Sequence, residues 1–318
     1  MVTREDVQAA YLRIASHLHQ TPVLSSRSLN QLANAELHFK CENFQRAGSF
    51  KFRGSTNTLL QLSKAELARG VATTSSGNHG AALTLAASLQ NAKVTVVMPY
   101  NTPKVKVENV RRYGGEIVFC EPSYESREGT LTQLVERTGA TVVHPYNDER
   151  IIAGQGTAAW ELLTEHPNLD AVVSPVSGGG LLSGTLLAVQ SKHLGIKVYG
   201  AEPLEADDTI RSLEAGHIVP NRTVNTIADG LRAQIGTLTF PVIQQYVEQV
   251  IPVTEDEIIS SMRLLWERLK VIVEPSSAIT LAAVLKSTEN LNGKKVGLIL
   301  SGGNADLDSI PWMCSNVP

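Results

Sequence analysis

An α/β fold of two lobes, with parallel-type sheets covered by helices, is what this 318-residue sequence predicts, and three observations carry the prediction. Short β-branched runs alternate with longer helix-type segments from residue 71 onward. Turns bearing glycine follow three of the strand-type runs, where the carboxyl ends of parallel strands gather ligands. Hydrophobic residues make up 42% and charged residues 19%, which fits a soluble globular chain long enough for one large or two ordinary domains.

The elements follow in order. Residues 71–74 form a short strand, and 78–89, rich in Ala and Leu, a helix. Residues 93–98 (KVTVVM) are a β-branched run bounded by Pro99. Residues 103–113 have helical spacing and stop at Gly114-Gly115. A strand at 116–120, a helix at 125–137 and a strand at 141–144 complete a first series. A second series holds a helix at 153–165, a buried-type strand at 171–176, a helix at 180–193 and a strand at 197–201. Thr254 with Glu257 three residues on is a capping-box pattern, and 295–300 (KVGLIL) is an apolar strand. The first series looks complete, so the amino-terminal piece is expected to pack with the second. The expected domains are 70–146, a small α/β unit, and 1–69 plus 147–318, a larger discontinuous one.

Composition excludes several functions. A net charge of −3 with both signs mixed, and no basic stripe, argues against nucleic acid as a partner. Lys104, Lys106, Arg111 and Arg112 read as a solvated helix face. The three cysteines, Cys41, Cys120 and Cys314, are far apart and form no metal-type pair or disulfide framework. Cys41 and Cys120 lie in apolar strand-like runs and read as buried thiols. A reducing, cytoplasmic setting is expected. Arg4, Glu5 and Asp6 do not open a signal peptide, and no apolar run is long enough to span a bilayer.

The segment Ser49-Phe50-Lys51-Phe52-Arg53-Gly54 sets a lysine between two aromatic residues in a chain with only 5% of them. Apolar surroundings disfavour the ammonium form and lower its pKa, which suits a lysine that bonds an aldehyde. Ser177-Gly178-Gly179-Gly180 follows a strand and opens a helix, a turn whose backbone N–H groups suit one phosphate. The G-x-G-x-x-G fingerprint of dinucleotide binding is absent. Ser75-Ser76-Gly77-Asn78-His79-Gly80 offers hydroxyls, an amide and a helix start, which suits a carboxylate. His79 is given no proton-transfer role. Ser301-Gly302-Gly303-Asn304 ends the last strand, so three turns have the placement to face one cleft, with Lys51 reaching in. The acidic run from Glu202 to Asp208 reads on spacing alone as a solvated turn at a helix start, with a divalent cation as the alternative.

Together these stretches resemble the fold-type II pyridoxal-phosphate enzymes, of the serine racemase and serine/threonine dehydratase family. The matching segments include KCENFQ at 40–45, SFKFRG at 49–54, SSGNHG at 75–80, AGQGT at 153–157, SGGGLLSG at 177–184, IADG at 227–230 and VEPSSA at 273–278. The resemblance implies a tryptophan synthase beta-like fold with pyridoxal 5'-phosphate in the interlobe cleft. Lys51 would bond the cofactor aldehyde, and Phe50 and Gly230 would flank its ring. Ser177, Gly178, Gly179, Gly180 and Leu181 would cradle its phosphate, Asn78 would meet the ring hydroxyl, and Ser301 the ring nitrogen. Ser75, Ser76, Gly77, Asn78 and His79 would hold the substrate carboxylate. Ser76 would act as an acid on the face opposite Lys51, the residue on which racemase versus dehydratase turns. Glu202, Ala206 and Asp208 match the family's divalent-metal site (Mg, Mn or Ca).

The implied activity is dehydration of L-serine or L-threonine to a 2-oxo acid and ammonia, with serine racemisation in the same site. A dehydratase of another β-hydroxy amino acid, such as 3-hydroxyaspartate, is the alternative. A non-catalytic cofactor-binding sensor is a reading from another class. Ser177 stands where glycine is commoner in the family, and its hydroxyl is expected to add a phosphate bond. No amino-acid-sensing domain is expected after the last strand, and a homodimer is the family's expectation.

Overall fold

A computed structural model describes residues 2–312 except 76, 103, 193 and 194. Ten strands are described: β1 (Val23–Leu24), β2 (Glu36–Cys41), β3 (Val71–Thr74), β4 (Val94–Pro99), β5 (Glu116–Cys120), β6 (Thr141–Val142), β7 (Ala171–Pro175), β8 (Lys197–Pro203), β9 (Gln249–Val253) and β10 (Lys295–Leu300). They form two sheets. One has the order β1-β2-β10-β7-β8-β9, and the other β5-β4-β3-β6. Every pairing is parallel except β1 with β2. The amino-terminal β2 runs beside β10 in full register, from Lys295 opposite Glu36 to Leu300 opposite Cys41.

Side chains alternate across the larger sheet, as the two-residue period of a strand requires. Phe39, Val173, Leu298 and Leu300 feed an apolar cluster on one face, and Val172, Val198 and Ile299 a second on the other. The smaller sheet is also covered twice, by a cluster with Val71, Val96 and Met98 and one with Ala72, Val97 and Cys120. Two-faced burial explains why these strands read as continuous apolar runs.

Several elements depart from expectation. The strand expected at 141–144 ends at Val142, because the His144 ring turns back and its Nδ1 accepts the backbone N–H groups of Tyr146 and Asn147. The helix expected from 153 starts at Glu149, where the Asp148 carboxylate caps it by accepting the Arg150 N–H. Strand β9 has no counterpart among the expected elements, since it contains Pro252. Its position at the sheet edge, paired only through β8, tolerates the missing donor. The solvated basic face is a correction. Lys104, Arg111 and Arg112 are exposed, but Lys106 is half-buried and pairs with Asp229. Cys41 and Cys120 are buried thiols, and Cys314 lies outside the described residues. Among the described residues no helix is long and apolar enough to cross a membrane.

Helix Lys51–Leu59 (KFRGSTNTL) carries a central run of weak helix formers, Gly54-Ser55-Thr56-Asn57-Thr58, and no element signal in the sequence. Burial overrides propensity here, because every residue from Phe52 to Leu59 is buried. Glycines permit the fit. A Cβ on Gly154, in helix Glu149–Glu165, would lie 2.6 Å from Gly54 Cα. Two residues on, across the same helix, a Cβ on Gly184, in helix Gly180–Lys192, would lie 2.5 Å from Gly156 N. Three helices therefore touch backbone to backbone, and the outer two begin at Lys51 and at the Gly178–Gly180 turn.

Candidate active site

The end of β10 places Lys51. Ser49 bridges to Gly302, and the Phe50 N–H donates to the Ser301 carbonyl at 3.0 Å. Lys51 Nζ lies 5.1 Å from the Phe50 ring centroid and donates to the Pro145 carbonyl at 2.8 Å. The two phenylalanines separate. Phe50 stays beside the amine, while Phe52 turns into the apolar cluster under the smaller sheet. Burial lowers the Lys51 pKa to about 8, against the Glu274 carboxylate, which favours the ammonium.

The turn after β3 lies close by. The Ser75 hydroxyl accepts the N–H groups of Gly77 and Gly80 and so stabilises the start of helix Asn78–Ser88. Ser76 lies outside the described residues. Asn78 donates to Glu274 at 2.7 Å and accepts from Asn304 at 2.9 Å, which joins this turn to the one after β10. His79 is buried, with Nε2 against the Val143 carbonyl at 3.1 Å. Burial and the Lys51 charge push its pKa down to about 3. The same two causes bring His144 to about 4, so both rings are neutral at pH 7.

In the turn after β7, Gly179 has φ +88°, a conformation that favours glycine. A Cβ on Gly178 would fall 2.4 Å from the Tyr146 ring, so the ring rests directly on the turn. The Ser177 hydroxyl donates to the Ala233 carbonyl and accepts the Ala233 N–H, both at 2.9 Å. The hydroxyl proton is thus directed at residue 233. Leu181 is buried in the first turn of helix Gly180–Lys192, whose leading N–H groups have no intrahelical acceptor. The Ser301 hydroxyl meets that of Ser277 at 3.1 Å, and the Gly230 N–H donates to Ser276 at 3.0 Å.

Glu202 and Asp208 form a separate buried pair. Glu202 accepts the N–H groups of Thr209 and Ile210, each at 3.0 Å. Asp208 Oδ2 accepts the Ile235 N–H at 2.7 Å, and its Oδ1 is buried with no hydrogen-bond partner. Burial raises the two carboxyls to about 8 and about 6. Ala206 is buried between them in sequence. Among the described residues no three His, Cys, Asp or Glu side chains group as metal ligands.

Three residues escape the sequence reading. Glu274 is buried beside Asn78, with its pKa raised by burial against the nearby Lys106 charge. Lys106 lines a cleft cavity of about 230 Å³ with Gly77, Asn78, Asn109 and Asn304. Tyr146 covers the glycine turn. The VEPSSA match contains Glu274, but a lone acid before proline gives no signal of its own.

A sequence profile described as "Pyridoxal-phosphate dependent enzyme" matches residues 14–302. The chain is 49% identical over 314 residues to a serine racemase of Dictyostelium discoideum, covering 97% of each. It is 47% identical over 310 residues to the beta-hydroxyaspartate dehydratase of Paracoccus denitrificans, covering 98% of each. The structure of maize serine racemase superposes with a TM-score of 0.95 at 44% identity, covering 99% of this chain and 97% of that one.

The residues present fit that cofactor. Lys51 offers a partly buried amine whose pKa is lowered to about 8. The turn at Gly178 and Gly179 packs so closely on Tyr146, Ile235 and Thr239 that no Cβ is accommodated, leaving bare backbone at a helix start for a phosphate.

Proposed function

Because the chain belongs to the pyridoxal-phosphate dependent enzyme family, we propose that it dehydrates L-serine and L-threonine to 2-oxo acids and ammonia and racemises serine in the same site. The observation that carries this reading is the partly buried Lys51 amine, shifted towards neutrality, at the meeting of three strand-end turns.

Lys51, Phe50, Asn78, Ser177, Gly178, Gly179, Gly180, Leu181, Gly230 and Ser301 would hold the cofactor. When bound, pyridoxal phosphate supplies an electron sink that acidifies the substrate Cα–H. Lys51 Nζ, freed when the substrate amine takes its place, would take the Cα proton on its own face, as a general base with a pKa near the working pH, and the β-hydroxyl, once protonated, would leave as water. The N–H groups of the Ser75–His79 turn orient the substrate carboxylate. A neutral Ser301, rather than a carboxylate, keeps the ring nitrogen weakly protonated, which favours elimination and racemisation over transamination. Ser76 supplies the proton on the opposite face, an assignment made on sequence. Glu202, the Ala206 carbonyl and Asp208 are read as a divalent-cation site, supported by the buried unpartnered Asp208 Oδ1. The expected two-domain division, a cytoplasmic setting and a homodimer complete the reading.

Steady-state assays on L-serine, L-threonine and 3-hydroxyaspartate, following 2-oxo acid and D-serine together, test it. Turnover of serine with both products is expected. The 47% identity to a hydroxyaspartate dehydratase supports a second reading, and negligible serine turnover beside fast hydroxyaspartate turnover would establish that one instead. Ser76→Ala should lose racemisation and keep elimination. Equal loss of both would refute the two-face assignment.

A further inference from the structure

Lys106 sits in a run that reads as a solvated helix face, yet its ammonium enters the cleft. It lies in the first turn of helix Lys104–Arg112, on the smaller sheet's side of the cleft. Its partner Asp229 belongs to the segment Asp229–Leu231, which precedes helix Phe240–Tyr246 and the edge strand of the larger sheet. The side chains of the pair are 21% and 34% exposed, so solvent screens the attraction only in part. The ammonium is also 3.9 Å from where a Gly77 Cβ would lie, beside the turn read as the carboxylate holder. Asp229 directly precedes Gly230, read as backbone over the cofactor ring.

We propose that the Lys106–Asp229 pair is a positioning bridge across the cleft. It holds the turn that binds the substrate carboxylate at a fixed separation from the backbone over the cofactor ring. The inference rests on the reading above for the roles of those two segments. Other features favour a bridge over a chance contact. Glu274, Asp306 and Arg232 all act on Lys106 from the opposite side of the cleft, two attracting and one repelling. The cavity walls beside it carry asparagine amides and small residues rather than further charge. A carboxylate arriving at Gly77 and Asn78 would share the same ammonium with Asp229, so Lys106 stands between the substrate anion and the opposite wall of the cleft.

A bridge of this kind acts on binding more than on the proton transfer at Lys51. The test uses the holoenzyme and three variants, Lys106→Gln, Lys106→Arg and the exchanged pair Lys106→Asp with Asp229→Lys. Calorimetric titration with L-alanine, which has no β-hydroxyl to lose, reads binding apart from elimination. Lys106→Gln should weaken L-alanine and raise KM by roughly tenfold, the size of an ordinary coupling between sites, with kcat changed far less. Lys106→Arg should keep most of the affinity, and the exchanged pair should recover part of what Lys106→Gln loses. Added salt should weaken L-alanine binding in the parent enzyme and have little effect in Lys106→Gln. An unchanged Kd and KM in Lys106→Gln overturns the proposal, as does an equal fall of kcat and kcat/KM. If the parent turns over neither serine, threonine nor hydroxyaspartate, the proposed function fails, while the L-alanine and salt titrations still judge the bridge.

Discussion

Arg53 and Lys51 sit two residues apart on one helix and live in opposite electrostatic worlds. Arg53 is fully buried and forms two charge-assisted bonds to Glu42 and two to Glu161, all between 2.7 and 2.8 Å. Lys40 adds a 2.7 Å bridge to Glu161 and a bond to the Thr21 carbonyl, so two cations face two anions in a dry pocket. Burial works against the guanidinium, but the Glu42 and Glu161 charges outweigh it and raise its pKa. The Lys51 amine bonds to a backbone carbonyl, and the carboxylate that acts on it, Glu274, is engaged by Asn78. The contrast teaches that full compensation locks a charge in place, whereas withheld compensation brings a lysine's proton loss down to about pH 8.

The comparison can be broken at either end. The largest effect is expected at the uncompensated end. If Lys51 is the proposed general base and cofactor anchor, Lys51→Ala should lower kcat by roughly 10³-fold or more. A melting temperature close to the parent's, measured on the apoprotein, would show that the loss is chemical. At the compensated end, Arg53→Met leaves two buried carboxylates facing Lys40 alone, which should cost about 3–5 kcal/mol in urea unfolding. A cost below about 1 kcal/mol would mean that the network is not compensating as described.

The Glu202–Asp208 pair lies between these extremes, being buried and short of cations. A saturating divalent cation at a hundred times its Kd should stabilise the parent by about 2.7 kcal/mol in thermal melts, and Asp208→Asn should abolish that gain. A cation shift that survives Asp208→Asn would place the ion elsewhere. The smallest effect concerns the Lys51 proton. Burial disfavours the ammonium, so the neutral fraction rises through about pH 8. Acylation of Lys51 in the apoprotein should show that midpoint, while exposed lysines follow their ordinary pKa near ~10.4. Glu274→Gln removes a charge that favours the ammonium, so the midpoint should move lower. A rise instead would mean that Glu274 does not act on the amine.

Much of this arrangement is legible in the sequence because it is carried by local patterns. The alternating runs give the order of elements from 71 to 203, and the three glycine-bearing strand ends mark the cleft. What escapes depends on distant partners. Helix Lys51–Leu59 is stabilised by burial, which propensity does not report. Strand β9 hides behind Pro252, acceptable only at an edge. Lys106 shares its helix with exposed Lys104, Arg111 and Arg112, and nothing local separates the one that faces Asp229 from the three that face water. Tyr146 becomes a site residue only once the turn at 178 is packed beneath it.

The backbone contacts at Gly54, Gly154, Gly156 and Gly184 have a consequence of a different kind. They connect the helix that begins at Lys51 to the helix that begins at the glycine turn through one turn of a middle helix. The spacing between the amine and the glycine turn is thus gauged by main-chain contacts rather than by side-chain length. Apolar side chains around them set packing and stability, whereas the gauge itself rests on these backbone contacts. Only the four glycines are held fixed, because any Cβ there acts as a shim.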